Sequence, residues 1–218
     1  LKGFKGTLQT DGYVAYETYA GARQHVKLAG CWAHARRKFF EAKDESAVWA
    51  RWILHQVGLL YRLEARLREQ KMGPTGREAT RAAEAGMILA RLKRALTAKA
   101  NAFLPQSGLG KAVGYALKRW PQLEMYRDDG RLEIDNNGVE NAIRPTAIGK
   151  KNWLFIGHPE AGDRSAIIYT ILENCRRCGI NPQEYLQDVL ERLPSMKIQD
   201  IEQLLPARWA KQRKAKAA

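Results

Sequence analysis

The stretch TLQTDGY, from Thr7 to Tyr13, decides how the sequence is interpreted. Its first four residues predict a short strand, and the Asp11-Gly12 pair that follows is a turn signal. A carboxylate at the end of a buried strand lies at the rim of a sheet, where α/β enzymes place metal and substrate ligands. Asp11 can instead open the turn before Tyr13 by accepting backbone N–H bonds. Taken alone, the residue favours the turn.

A second short strand is predicted from His25 to Leu28, and a helix from Ala33 to Ala42. The helix carries three adjacent cations, Arg36, Arg37 and Lys38. Such a cluster can contact DNA phosphates, or it can be a solvated helix face. The residues alone leave both interpretations open.

From Ser46 to Arg119 the apolar residues recur at intervals of three and four, which predicts helices throughout. The cluster from Gly73 to Gly76 breaks the first of them. Ser107 is the predicted N-cap of the last, and Pro121 is expected to stop it. Between Tyr61 and Ala100 there are ten basic residues and four acidic ones. This block is therefore either a solvated helical face or a DNA-facing surface.

Beyond the helical block, the segment from Asp135 to Asn137 supplies N-caps for a helix that carries Glu140 and Arg144 four residues apart. A glutamate in a first turn is ordinarily a partner of the helix dipole. Trp153 to Ile156 is a short apolar run that predicts a strand or a buried loop. Lys150 and Lys151 precede that run. They are either cations at the rim of an active site, where they would contact DNA phosphates, or solvated charges of a loop.

The remaining local predictions concern segments on either side of this run. We expect Leu132 to Ile134 to be extended, and Asp163 to cap a helix that ends at Cys178. Asn181, followed by a proline and then an acidic residue, is a strong helix start. The tail from Arg208 to Ala218 has five basic residues and no acidic one, which predicts disorder.

The composition limits the class of protein. Among 218 residues, 37 are Lys or Arg and 23 are Asp or Glu, giving a net charge of +14. This balance favours an anionic partner, most commonly nucleic acid. A hydrophobic fraction of 45% argues against disorder, and no apolar run approaches the ~18 residues of a membrane helix, so we expect no membrane partner. Three cysteines argue against a disulfide scaffold and for a reducing, cytoplasmic compartment.

Two cysteine-containing pairs have the spacing of metal ligands. Cys31 and His34 are three residues apart, as are Cys175 and Cys178, and together they would complete a four-ligand zinc set. Cysteines three apart on an amphipathic helix are usually small buried residues, so zinc is not the expected cofactor.

Six motifs follow one another along the chain: LQTDGY (8–13), GCWAHARRKFFEA (30–42), GRLEIDNNGVENAIRP (130–145), IGKKNWLFIG (148–157), GINPQEYLQDVLERLP (179–194) and LLPARW (204–209). In this order they resemble the insertion-sequence-66 family of bacterial transposases, over nearly the whole chain. That family is similar to the DDE transposases, in which a ribonuclease-H-like core presents three carboxylates to two Mg²⁺ ions.

The resemblance implies roles for individual residues. Asp11 matches the family's second Asp and Glu140 matches its Glu, so both are expected to be catalytic and to bind Mg²⁺. The expected partners are the DNA of the element ends and of the target, with a possible homo-oligomer on DNA in the bacterial nucleoid. The residues expected to contact DNA are Arg36, Arg37, Lys38, Arg144, Lys150 and Lys151.

The sequence departs from the family pattern in two ways. No residue matches the family's first Asp, so the chain is expected to be the C-terminal part of such a transposase. Asn141 stands where the family usually has Arg directly after the Glu, which removes a possible phosphate clamp. The pair Cys31 and His34 resembles a motif of several DDE transposase groups, and its role stays open.

The expected fold is α/β and mostly helical by residue count. Residues 1–157 would form a partial ribonuclease-H-like core, interrupted by an all-α insertion at about 46–120. Residues 158–209 would form a helical C-terminal element, followed by a basic tail at 210–218. The separation of Asp11 and Glu140, 140 − 11 = 129 positions, is too long for one crossover helix and supports the insertion.

The leading functional hypothesis is DNA cleavage and strand transfer by a two-metal mechanism, incomplete without the first Asp. Two alternatives share the same residues. One is a DNA-binding remnant of a transposase that has no catalysis, and the other is a ribonuclease-H-like nuclease without strand transfer.

Overall fold

The computed structural model describes residues 3–217. The chain divides into two compact units, with the boundary between Val139 and Glu140. Within the described residues, no helix combines the length and the apolar character needed to cross a membrane.

The first unit opens with two parallel strands joined by a short helix. Strand β1 (Gly6–Gln9) pairs with β2 (Val26–Ala29), and α1 (Val14–Gly21) lies between them in the chain. Both strands lie within one residue of their predicted positions. Helix α1 was not predicted, because it buries no residue and therefore carries no apolar stripe that a periodicity search can detect.

Helices make up the rest of the first unit and confirm the predicted helical block. They are α2 (Trp32–Glu41), α3 (Ala47–Glu69), α4 (Pro74–Thr80), α5 (Gly86–Ala98), α6 (Gly108–Lys118) and α7 (Trp120–Glu124). As predicted, Ser107 caps α6, since its Oγ accepts from Gly110 N at 3.0 Å. Pro121 lies in the first turn of α7, where its missing N–H is not needed.

One hydrophobic core joins the faces of α2, α3, α5 and α6. Leu60 of α3, Leu92 of α5 and Val113 of α6 are among its buried members. Trp32 and Trp120 meet edge to face, with ring centroids 5.8 Å apart. The Trp32 indole N–H donates to the carbonyl of Leu123 at 2.9 Å, so this large ring is buried with its polar atom satisfied.

A π-helical turn (Arg81–Ala85) separates α4 from α5 and points the fully buried Arg81 into the core. Its guanidinium donates to both carboxylate oxygens of Glu64, at 2.7 and 2.8 Å. The remaining donors reach three main-chain carbonyls, at 2.7, 3.1 and 2.9 Å respectively, on Tyr126, Asp129 and Leu132. Every N–H of the guanidinium is therefore satisfied, and the segment 126–132 is held against α3.

The second unit is helical. Its helices are α8 (Asn137–Trp153, which begins three residues before the boundary), α9 (Pro159–Arg177), α10 (Pro182–Arg192) and α11 (Pro206–Ala217). Its small core contains Cys175, Tyr185 and Trp209. Asn181 caps α10 as predicted, its side chain accepting from Gln183 N at 2.9 Å.

The prediction for Trp153 to Ile156 was wrong. Helix α8 continues through Lys150 and Lys151 to Trp153, and the three residues that follow are exposed loop. The two lysines lie in the last turn, where positive charge stabilises the carbonyl end of a helix, and this favours the longer helix.

Two other local predictions were also wrong. Helix α9 begins at Pro159 instead of Asp163, because Pro159 suits a first turn and His158 Nδ1 accepts from Glu160 N at 3.3 Å. The segment from Leu132 to Ile134 forms no strand. Its three carbonyls accept from three different partners, Arg81, Gln9 and Trp32, instead of from one neighbouring strand.

The basic tail, predicted to be disordered, is the helix α11 as far as Ala217. Trp209 anchors it, because the ring meets Tyr185 at 5.5 Å and its N–H donates to Asp188 at 2.7 Å. Arg213 donates to Glu184 at 2.7 Å. Acidic partners on α10 thus offset the charge that predicted disorder.

The expected fold class is confirmed at the level of a mostly helical α/β chain. Within residues 3–217 the sheet has two strands. That number is too small to identify a ribonuclease-H-like core.

We expect Arg81→Met to lower the free energy of unfolding by about 3–5 kcal/mol, because it removes two of the three hydrogen bonds that the buried Glu64 carboxylate accepts and leaves only the bond from Arg77 at 3.1 Å. Urea unfolding followed by circular dichroism measures the change. The matched control is Arg37→Met, whose ion pair with Glu41 is about two-thirds exposed on both sides, and it should cost about 0–1 kcal/mol. An equal loss in the two variants would contradict the assignment.

Candidate functional site

The carboxyl ends of β1 and β2 meet at one edge of the sheet, because the strands are parallel. Asp11 follows β1 by two residues, and Cys31 follows β2 by two. The charge of Asp11 acts on the pKa of Tyr115 of α6, which lies at the same edge. This edge, with the side chains around it, is the candidate site of the first unit.

Asp11 is exposed, and its Oδ1 accepts from Tyr13 N at 3.0 Å. The turn predicted from the residue alone is therefore confirmed. Asp11 also lies at the rim of the sheet, so it forms the turn and occupies the position of a possible ligand at the same time. No hydrogen bond from residues 3–217 reaches Asp11 Oδ2.

Helix α6 holds the turn that carries Asp11. The hydroxyl of Tyr115 donates to the main-chain carbonyl of Asp11 at 2.8 Å. Arg119 Nη2 donates to the carbonyl of Gly12 and to Glu17 Oε1, both at 2.8 Å. Gly12 has φ +87°, and a Cβ there would collide with the Arg119 guanidinium, so the position requires glycine. Two hydrogen bonds therefore fix the turn, and a third fixes α1, which follows it.

The N-terminus of α6 is fixed in turn by Glu45. Its carboxylate accepts from Gly108 N at 2.7 Å and from Leu109 N at 2.9 Å. The bond from Leu109 is the main reason that the pKa of Glu45 is lowered from its usual value. An acidic cap of this kind stabilises the helix that supports Asp11.

The tyrosine ring of α6 attracts two cations. Lys38 Nζ lies 4.8 Å from the ring centroid of Tyr115, and Arg119 Cζ lies 4.7 Å from it. Burial raises the pKa of Tyr115, so its hydroxyl remains a donor to the Asp11 carbonyl at neutral pH. The structure thus brings the predicted Lys38 beside the Asp11 turn.

The three adjacent cations of α2 face different neighbours, since each residue turns a helix by about 100°. The charge of Arg36 acts on the pKa of Tyr61, and that of Arg37 acts on the pKa of Tyr115. Arg37 also pairs with Glu41 at 3.8 Å. Of these contacts, the one beside the Asp11 turn is that of Lys38 with the Tyr115 ring.

Beyond Cys31 at the same edge lies a second polar cluster. His34 Nδ1 lies 3.2 Å from Cys31 Sγ, and the Tyr61 hydroxyl donates to Asp135 Oδ2 at 2.8 Å. Burial and this hydrogen bond raise the pKa of Tyr61 far above its ordinary value. Burial likewise raises the pKa of Cys31, which keeps the thiol protonated. In residues 3–217, no three His, Cys, Asp or Glu side chains are grouped closely enough to hold a metal ion.

The other predicted site residues lie on α8. Glu140 is in its first turn, and Arg144 follows four residues later, as predicted. Counting about 100° per residue, Arg144 and Lys151 lie within about 40° of Glu140 around the axis, while Lys150 is about 80° away. All four are exposed. Glu140, Arg144 and Lys151 therefore share one face of α8.

Four residues of the first unit were missed: Tyr61, Tyr115, Arg119 and Asp135. Asp135 was identified as a helix cap, and its Oδ1 does accept from Asn137 N at 3.1 Å. Tyr115 lies on α6 and Arg119 caps its C-terminus four residues later, but their partners in the Asp11 turn are 104 and 107 residues distant. No local pattern could have predicted those contacts.

Comparisons with known proteins identify the chain's relatives. The family model described as "Transposase IS66 family" matches residues 1–164, and that of the "IS66 C-terminal element" matches residues 170–207. No solved structure gives a significant match.

Three curated relatives come from Sinorhizobium fredii and are described as uncharacterized proteins. The protein y4jD is 34% identical, covering 100% of this chain and 44% of the relative. The protein y4qI is 36% identical, covering 94% and 39% respectively. The protein y4hP is 30% identical, covering 96% and 40%. The chain therefore spans less than half the length of each of these relatives.

We expect the stability that Glu45 contributes to depend on pH. The carboxylate is favoured in the folded state, so the contribution is present above its ordinary pKa of 4.5 and is lost as the pH falls through the lower folded value. The wild type should exceed Glu45→Gln in urea midpoint at pH 7, and the difference should shrink below pH ~4.5. Asp44→Asn, in the same exposed turn, is the control. A difference between wild type and Glu45→Gln that does not change with pH would argue against the charged cap.

Proposed function

We propose a function from one premise: the chain belongs to the IS66 transposase family. A transposase acts on DNA, and the excess of basic residues suits that partner. The reaction proposed is cleavage of element DNA followed by strand transfer to target DNA, by a DDE mechanism. The observation that carries it is the family match together with the exposed Asp11 carboxylate at the carboxyl end of a parallel strand.

The catalytic carboxylates proposed are Asp11 and Glu140. Asp11 is held in its turn by the Tyr13 amide and by Tyr115, and its Oδ2 is open to a further ligand. Glu140 is presented from the first turn of α8. Exposed carboxylate oxygens of this kind fit Mg²⁺, and both residues would bind it. When bound, the metal pair activates the attacking oxygen and stabilises the leaving oxygen.

The family's first Asp has no match in these 218 residues. Because the chain spans less than half of its curated relatives, we assign the complete reaction to a polypeptide that also contains a segment bearing that Asp. An oligomer on DNA and a location in the bacterial nucleoid belong to the same proposal.

Cations of both units would contact DNA phosphates, which position a protein on DNA without reading its sequence. On α8, Arg144 and Lys151 share a face with Glu140, so a phosphate bound there would lie near the proposed catalytic Glu. The full set proposed is Arg36, Arg37, Lys38, Arg144, Lys150 and Lys151.

We expect Asp11→Asn and Glu140→Gln each to reduce Mg²⁺-dependent strand transfer by at least about a thousandfold, the loss of several kcal/mol of transition-state stabilisation. Strand transfer is measured on donor and target DNA, with the chain joined to a family segment that bears the first Asp. Asn keeps the oxygen that accepts from Tyr13, so the turn should remain folded.

Two matched controls accompany these variants. Glu160→Gln alters a first-turn glutamate of α9, and Asp44→Asn alters an exposed turn aspartate. Both should keep full activity, and all four variants should keep DNA binding. Unchanged transfer in Asp11→Asn and Glu140→Gln would show that neither carboxylate is catalytic and would leave these residues at most a DNA-binding role. Nicked products without joined strands would indicate a nuclease.

A further inference from the structure

A groove beside the Asp11 turn is lined by four cations: Lys38, Lys111, Lys118 and Arg119. Its volume is about 530 Å³, and none of its lining residues is acidic. Within the described part of the chain, Lys38, Lys111 and Lys118 form no ion pair with an acidic side chain. Such a surface attracts anionic ligands.

The acidic residues nearest to this groove are already engaged. Glu41 and Glu45 line a neighbouring cavity that includes Lys38 and Lys111. Glu45 accepts the two amides at the start of α6, and Glu41 pairs with Arg37. The charge of Lys111 also acts on the pKa of Glu45, but the two side chains form no ion pair.

The face of α6 that lines the groove carries two lysines in a row along the helix axis. Lys111 and Lys118 are seven residues apart, two helical turns, and are separated by about 10.5 Å along the axis. Gly114 lies between them, and a Cβ at that position would meet nothing within 4 Å. A ligand can therefore approach the helix backbone between the lysines. Since each nucleotide of one strand advances about 3.4 Å along the duplex axis, the lysine pair matches about three nucleotides of a duplex that lies parallel to α6.

We infer that this groove binds the sugar-phosphate backbone of duplex DNA without reading its bases. The inference rests on the proposed function for the identity of the polyanion, and adds the surface that holds it. Lysine ammonium groups are point charges suited to phosphates, and the open backbone at Gly114 allows close approach. Because Tyr115 and Arg119 of the same helix fix the Asp11 turn, a strand held here passes beside Asp11.

The test is the salt dependence of binding to a short labelled duplex, measured by fluorescence anisotropy with the 218-residue chain. Lys111→Gln combined with Lys118→Gln removes two phosphate contacts. The slope of log K against log salt should then fall in magnitude by about 1.8, with a roughly ten- to hundredfold weaker affinity at 0.1 M salt.

A second variant keeps all the lysines. Gly114→Glu places a carboxylate between them and should weaken binding, while the better helix propensity of Glu maintains folding. The control combines Lys71→Gln with Arg94→Gln, which removes the same charge from exposed residues that do not line the groove. Thermal unfolding checks that each variant is folded.

Losses of DNA affinity in the groove variants that exceed those of the control would support DNA binding in the groove. Equal losses in groove and control variants, or an unaffected Gly114→Glu, would overturn the groove and leave the proposed function intact. A wild-type chain that binds no duplex at low salt would overturn the DNA partner itself, and with it the groove.

Discussion

The buried ion pair of Arg81 and Glu64 is the interaction on which the architecture of the first unit depends. Both side chains are fully buried. Burying two charged groups is costly unless every donor and acceptor has a partner. Here the guanidinium completes its set with three carbonyls of the segment 126–132. The next two residues continue to the sheet edge, where the Glu133 carbonyl accepts from Gln9 at 2.8 Å and the Ile134 carbonyl from Trp32 N at 3.1 Å. Asp135 and the start of α8 follow directly.

Helix α6 combines two tasks on different faces. Its buried residues, such as Ala112 and Ala116, pack into the core, while Tyr115 and Arg119 hold the Asp11 turn. The lysines of the groove face outward. A carboxylate whose position is set by a core helix moves little, and preorganisation of that kind is what a catalytic ligand requires. The same rigidity would place a bound polyanion at a fixed distance from the turn.

Regular patterns made the long elements predictable. Apolar spacing identified the helical block, and turn chemistry placed both strands within one residue. Helix α1 lacked a buried face, and the run from Trp153 to Ile156 was misjudged because apolar character alone does not reveal how far a preceding helix extends. For the site, the Asp11 turn could be predicted from local chemistry. Its attachment to Tyr115 could not, because contacts over about a hundred residues leave no local signal.

The π-helical turn determines the directions in which the side chains of α4 and α5 point relative to each other. Each residue of an α-helix rotates the side-chain direction by about 100°, so the wider turn at Arg81–Ala85 shifts the angular register of α4 against that of α5. With this shift, the leucines of α5 face the core while Arg81 reaches Glu64. Deleting one residue here would return the segment to α-helical register and rotate one helix relative to the other. The ion pair therefore depends on the number of residues between positions 81 and 89 as well as on the two charged groups.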